Sequence, residues 1–458
     1  MKKLFHKLLR EDNFLSLTGN LIIAFFGLVG FALLARTVSV TEFGQWMLFI
    51  SAGSFVEMFR FGITNTGLVR YLSGAADSNR RQLIGSNIVI GALSTLLIIV
   101  LLTGADFLFG VSLDQAGYGL FFTWYPLLAV LNLPWNNALV VLQADRRFGA
   151  ILMLKAVNSI FFFIVVVYNY ITHALTLEQL VWCMLLVNGL TSLLAIISGW
   201  DGLRYTFQAS RQATRQLLHF GKYTTFTPIG TNLLRSADAI IISMSPMGVG
   251  AVALYSIPLK LTELQQIPLR SFAATAFPKM SKASLSGDNK EVKNIFYTYT
   301  GAISLLFVAG SLITFLFAEW FVFLLAGNQY LVQGTGAAFN AVLIVQVFSL
   351  YGLLLPLDRM TGIALDSINR PGVNALKVLV MVIANIAGDL IAVFVFQSLV
   401  MVAVASILFT LVGIWLGFYF LNRELHLSGK EIFSKGVEFY RNMYNKVILH
   451  RGELAKQP

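Results

Sequence analysis

The sequence predicts an all-α polytopic membrane protein of twelve transmembrane helices in two six-helix lobes, and three observations predict it. Of 458 residues 57% are hydrophobic and only 12% charged, with a mean hydropathy of +0.74, where soluble domains run about 45–50% apolar and about 25% charged. Twelve stretches are apolar over about 20 residues, the length that crosses a hydrocarbon core of about 30 Å. Lys and Arg fall on alternate connections, as they do when one side of a membrane retains them. Disulfide-stapled, collagen-like, coiled-coil and disordered classes fail against one Cys, 37 Gly without a three-residue period and 38 Phe.

In chain order, Lys2, Lys3, Lys7 and Arg10 lead into span one, 14–38, which is too long for the apolar core of a cleavable signal peptide, so none is expected. Span two, 43–65, runs into a basic connection with Arg70, Arg80 and Arg81. Spans three, 83–104, and four, 117–142, flank an acidic turn with Asp106 and Asp114; Arg146 and Arg147 precede span five, 150–170. Glu178 opens span six, 178–199, and the longest polar interruption, 200–221, carries Arg204, Arg211 and Arg215, with Lys222 directly after it on the same basic end. Pro246-Met247-Gly248 separates span seven, 222–245, from span eight, 250–277. Lys279, Lys282, Lys290 and Lys293 precede span nine, 294–317, and Glu319 follows it. Span ten, 337–357, is followed by Arg359 and by Arg370-Pro371-Gly372; Lys377 then belongs to the same basic end as span eleven, 373–396, begins. Span twelve, 400–421, leads to a tail with seven more basic residues.

Of the 33 Lys and Arg, 27 lie on these ends and connections, and the opposite connections hold only acids. Both termini are therefore expected in the cytoplasm, and the net charge of +11 requires no nucleic acid. The expected divisions are an N-terminal lobe at 1–199, an inter-lobe loop at 200–221, a C-terminal lobe at 222–421 and a basic amphipathic tail at 422–458. In that tail Ile432, Phe433, Val437, Tyr440 and Tyr444 alternate with Lys435, Arg441 and Lys446, the pattern of a surface helix on anionic lipid; a docking site for a partner is the other reading. A weak repeat at an offset of 206 pairs Ser39, Gly44 and Glu57 with Ser245, Gly250 and Glu263, as two parallel halves would.

Six basic residues remain inside spans: Arg36, Arg60, Lys155, Arg235, Lys260 and Arg270. Charge at the bilayer centre costs about 2.5–3.5 kcal/mol per group on insertion scales, so such groups face a bundle interior or a watery cavity. Arg36 and Lys155 lie near span ends, where snorkelling is the alternative. Glu57 with Arg60, Arg235 with Asp238 and Lys260 with Glu263 are each spaced i,i+3, on one helical face. Either they are structural ion pairs, or with Arg270 their cations line a site for phosphate, which suits the planar donors of Arg. Asp389, deep in span eleven, is a candidate for proton or cation coupling or a hydrogen-bonded structural acid. Pro126 and Pro134 in span four and Pro258 and Pro268 in span eight mark kinks that are either static or part of a transport path. Gly413-x-x-x-Gly417 predicts close packing of span twelve on a neighbour.

No enzymatic motif stands out. The five histidines lack metal spacing, no P-loop occurs, and Gly248-Val-Gly250-Ala-Val-Ala253 follows a membrane span rather than a strand. Cys183 sits in an apolar run, where a buried thiol is expected rather than a reactive one. No catalysis, cofactor or metal is expected.

Leu34–Trp46 resembles the first outer turn of polysaccharide flippases of the multidrug/oligosaccharidyl-lipid/polysaccharide exporter superfamily. Further resemblances follow at Arg60–Ile63, Leu142–Phe148, Phe220–Tyr223, Ser236–Ile240, Ala253–Ser256, Phe277–Ser281 and Leu365–Arg370. The resemblance implies two six-helix lobes in a V around a cationic cavity, in the bacterial inner membrane. It implies transport of an undecaprenyl-pyrophosphate-linked oligosaccharide, the repeat unit of O-antigen, capsule or exopolysaccharide, from inner to outer leaflet by alternating access. Lipid II flippases of the superfamily usually carry two further C-terminal spans, which argues against that assignment here. The rivals are an ion-coupled drug or cation antiporter of the same superfamily, whose cavity should be acidic, and a membrane-embedded glycan polymerase, which needs long outer loops or a carboxylate motif. Other polysaccharide-assembly proteins are possible partners.

Overall fold

The computed structural model describes residues 12–72, 76–224, 226–332 and 339–454. They form α1 (Asp12–Thr37), α2 (Val40–Leu72), α3 (Asp77–Gln115), α4 (Gly119–Ala144), α5 (Phe148–Thr172), α6 (Leu177–Ile197), α7 (Arg211–Thr224) and α8 (Phe226–Ser243). After these come α9 (Val249–Leu285), α10 (Asn289–Leu316), α11 (Ala318–Ala326), α12 (Gln329–Val332), α13 (Ala341–Ser367), α14 (Pro371–Leu390), α15 (Leu399–Leu425) and α16 (Gly429–Leu454). No strand occurs among the described residues.

Local chemistry sets many of the boundaries. A reciprocal capping box between Thr176 and Gln179 starts α6; Asp288 caps α10 by accepting from the Glu291 N–H at 3.0 Å. Gly248, at φ +77°, turns the chain between α8 and α9, and Pro371 occupies the first turn of α14. Secondary structure is continuous through Pro126 and Pro134 in α4 and through Pro258, Pro268 and Pro278 in α9.

Eight described helices, α3–α6, α10 and α13–α15, are long and apolar enough to cross a membrane. A ninth is α2, bent by 42° between Gly62 and Thr64. Each predicted span has a helical counterpart, but three of them differ from a single apolar rod. Span one is described as apolar over Ile23–Thr37; span seven is divided between α7 and α8; span eight belongs to α9, whose 37 residues hold three prolines and five charges. Polarity keeps α9 apart from the apolar set, and α7, at 14 residues, is also too short to cross by itself.

The chain folds into two compact units: Met1–Leu254 with Leu324–Gln329, and Tyr255–Phe323 with Tyr330–Pro458. In the first, α1 packs along α5, α4 packs on α2, α3 and α6, and α2 also takes α7 and α8. Ala213 and Leu217 of α7 join Leu68, Leu83 and Ile84 in one core, which ties α7 to α2 and α3. The connector is itself docked: a short 3₁₀ turn, Leu203–Gln208, lies against α3, and Ser86 Oγ accepts from the Ser210 N–H at 3.1 Å.

In the second unit, α13 packs on α10 and α15, and α15 on α14. Its core joins Ala276 and Met280 of α9 to Phe296 of α10, Met360 of α13 and Leu421 of α15. The small-residue motif on α15 makes the close approach expected of it. A Cβ on Gly413 would overlap Met381 of α14, and one on Gly417 would lie 2.6 Å from Thr361 Oγ1 of α13. Outward-facing apolar residues such as Leu97, Leu101 and Phe107 of α3 are exposed, as on a lipid-facing surface.

Candidate functional site

The most elaborate buried charge group lies in the first unit. Arg60, 1% exposed on α2, forms an ion pair with Glu57 one turn earlier. Its guanidinium also donates to Thr95 Oγ1 of α3 at 2.7 Å and to the Ala129 carbonyl of α4, and it lies 4.7 Å from the Phe61 ring centroid. Tyr125 of α4 donates to Glu57 Oε1 at 2.9 Å and Asn132 to the same atom at 3.4 Å. Three helices thus satisfy one cation and hold one carboxylate, as a buried ion pair requires if it is not to destabilise the fold. The second carboxylate oxygen, Glu57 Oε2, is buried and accepts no hydrogen bond among the described residues.

The i,i+3 spacing of Glu57 and Arg60 is legible in the sequence; the convergence of Thr95, Tyr125 and Asn132 on it is not. For the last two a partial signal exists. Tyr125, Ala129 and Asn132 recur at i, i+4 and i+7, which puts them on one face of an otherwise apolar helix.

On α9, Lys260 Nζ pairs with Glu263 Oε2 at 3.0 Å, and both side chains are partly exposed, at 23% and 42%. Arg270, two to three turns on, is exposed and donates to Gln266 at 3.3 Å. Asp238, on α8, is buried; Arg235 lies on the same helix, but its side chain is outside the described residues. Asp389 is fully buried near the end of α14, where it accepts from Asn385 Nδ2 at 3.0 Å. A single π-helical turn, Ile391–Val395, follows it, a feature that often accompanies functional sites. Arg36, at the end of α1, donates to the Leu324 carbonyl at 2.9 Å.

One charge group is invisible to the sequence pattern. The pattern assigns Lys377 to a basic cytoplasmic connection, yet it is 2% exposed, two turns into α14. Its ammonium pairs with Asp358 Oδ1 of α13 at 2.6 Å and donates to Thr361 Oγ1 at 3.1 Å. Span ten is expected to end at 357, whereas α13 continues to Ser367 and carries Asp358 inside.

A cleft of about 470 Å³ in the second unit is lined by Lys279, Lys282, Asn294, Thr298 and Tyr299 among others, and of the predicted substrate residues with described side chains, Arg60, Lys260 and Arg270, none lines it. No group of three or more potential metal-ligating side chains occurs among the described residues.

Solved structures with a similar fold include transporters and a flippase. An inward-facing multidrug resistance MATE family transporter of the MOP superfamily matches at TM-score 0.75 and 14% identity, over 88% of this chain and 94% of its own. The lipid II flippase MurJ in an inward closed conformation matches at 0.71 and 12% identity, over 97% and 93%. A MOP superfamily transporter from Pyrococcus furiosus, described as having a binding pocket of reverse polarity, matches at 0.59 and 13%, over 92% and 95%. No curated protein sequence matches the chain. The family model described as polysaccharide biosynthesis protein matches residues 9–284, more than half of the chain. The chain therefore belongs to the polysaccharide biosynthesis protein family, on a fold it shares with these solved structures, and its long apolar helices make it a multi-pass membrane protein.

Proposed function

We propose that this protein flips polyprenyl-pyrophosphate-linked oligosaccharide repeat units of O-antigen, capsule or exopolysaccharide from the inner to the outer leaflet of a bacterial inner membrane. Both termini are cytoplasmic and transport proceeds by alternating access of two six-helix lobes. The observation that carries this reading is the family match over 9–284 on an exporter fold whose membrane helices keep basic groups. Lys260 and Arg270, the more accessible cations, take the diphosphate, with Arg235 beside them in the sequence of the preceding span. Arg60 reaches a phosphate only by exchanging Glu57 for it, so this pair serves as a switch. Glu57, with an oxygen to spare, and Asp389, Asp238 and Glu263 are the candidates for ion coupling or charge pairing.

Deleting the gene tests this. Lipid-linked repeat units should accumulate on the inner leaflet and surface polysaccharide should disappear, with drug susceptibility unchanged. The likeness to the MATE transporter favours one second reading, an ion-coupled drug or cation antiporter. Intact surface polysaccharide with new drug sensitivity would establish that reading instead.

A further inference from the structure

The C-terminal helix α16 is half docked. Gly436 backs onto Gly301 of α10 so closely that a Cβ on Gly436 would lie 2.5–2.8 Å from the Gly301 backbone. Beside this crossing Ile432 is buried, and Tyr440 donates to the Ala302 carbonyl at 3.0 Å. The Ser428 N–H donates to Tyr297 at 2.7 Å, which fixes the start of the helix. Such a crossing admits no side chain and holds α16 at one level of α10.

A second flank of α16 stays apolar and uncovered. Phe433, Val437 and Tyr444 are 65%, 45% and 65% exposed. At about 100° per residue they fall within roughly 40° of one another, and Lys430 and Arg441 border them within about 60°. Glu431 and Glu438 lie more than about 100° from that stripe, on the side that carries Lys435 and Asn442. Apolar surface and positive charge are thus gathered on one flank, and negative charge is excluded from it.

We infer that this flank rests in the cytoplasmic leaflet. Phe433, Val437 and Tyr444 enter the acyl boundary, and Lys430 and Arg441 hold anionic phospholipid headgroups. Gly301 lies seven residues, about 10 Å, inside the apolar stretch that begins at 294, and interfacial helices bury their apolar face by about 5–10 Å. Charge complementarity selects lipid as the occupant, because a leaflet rich in anionic headgroups attracts basic residues held at its surface. The inference rests on the basic ends being cytoplasmic and is independent of what the protein transports.

The test uses the full chain in vesicles of phosphatidylcholine, alone or mixed with phosphatidylglycerol. Cys183 is the one cysteine, so a Cys183→Ser background accepts a polarity-sensitive fluorophore at Val437→Cys, at Phe433→Cys as a second probe of the flank, or at Asn442→Cys on the opposite side. The 433 and 437 labels should shift to the blue and be quenched by lipid-borne nitroxide, more strongly with phosphatidylglycerol, while the 442 label should be quenched by aqueous iodide. Lys430→Gln with Arg441→Gln should abolish the phosphatidylglycerol effect. Iodide quenching of the flank labels, shielding of them from both quenchers as under a protein partner, or indifference to phosphatidylglycerol would each overturn the inference.

Discussion

Gly44 of α2 lies against the backbone of Val249 at the start of α9, where a Cβ would come within 2.9 Å of the Val249 carbonyl carbon. Gly250 approaches the same contact from the other side, with Val40 Cγ1 at 3.6 Å from its Cβ position. Both glycines belong to the weak repeat at an offset of 206. Their asymmetry makes a prediction: Gly44→Val must displace backbone and should destabilise by about 1–3 kcal/mol, whereas Gly250→Ala meets ordinary van der Waals contact. Folded yield and thermal unfolding of the two purified variants check this; equal behaviour would show that the approach is soft.

Arg60 and Glu57 should be coupled. Arg60→Met leaves a buried carboxylate without its cation, and breaking one side of such a pair costs about 3–5 kcal/mol. Arg60→Met with Glu57→Gln removes both charges and should recover much of the lost abundance. If the pair is the switch proposed above, the double variant inserts normally yet exports no polysaccharide. Export at the wild-type level would make the pair structural.

The Arg235 position needs the same control. Arg235→Ala with Asp238→Ala leaves no single acid behind, so loss of surface polysaccharide in an abundant double variant assigns the arginine to substrate or gating. Retained transport removes Arg235 from the site.

Lys377 and Asp358 serve as the contrasting case, since their contacts tie α14 to α13. Lys377→Met should lower the folded yield sharply, and Lys377→Met with Asp358→Leu should restore it, because a matched apolar pair replaces a buried ion pair at little cost. Transport should survive in the double variant. A double variant as unstable as the single one would mean that Thr361 and the Asp358 carbonyl, also bonded to Lys377, dominate the contact.

Orientation is open to a direct check. Reporter fusions after Gly117, Ala174 and Gly327 should all report the outer compartment, as the acids Asp106, Asp114, Glu178 and Glu319 nearby require. A cytoplasmic report from any of them reverses the assignment.

By itself the sequence determined the class and the parts. Membrane helices must satisfy their own backbone, so a run of apolar residues is a helix wherever it sits, and the Pro246-Met247-Gly248 and Arg370-Pro371 stops act through local backbone geometry. The i,i+3 pairs at Glu57 and Arg60 and at Lys260 and Glu263 were legible for the same reason, since one helix brings them together. Only the tertiary structure decided which charges are enclosed. Thr95 and Tyr125 reach the Arg60–Glu57 pair from two other helices, and Lys377 is buried because α13 runs ten residues past the end of its apolar stretch. The tail, basic and amphipathic in sequence, became a helix with one fixed side because Gly301 and Gly436 let two backbones meet. Such meetings depend on residues far apart in the chain, and a local pattern of polarity carries no information about which of them will touch.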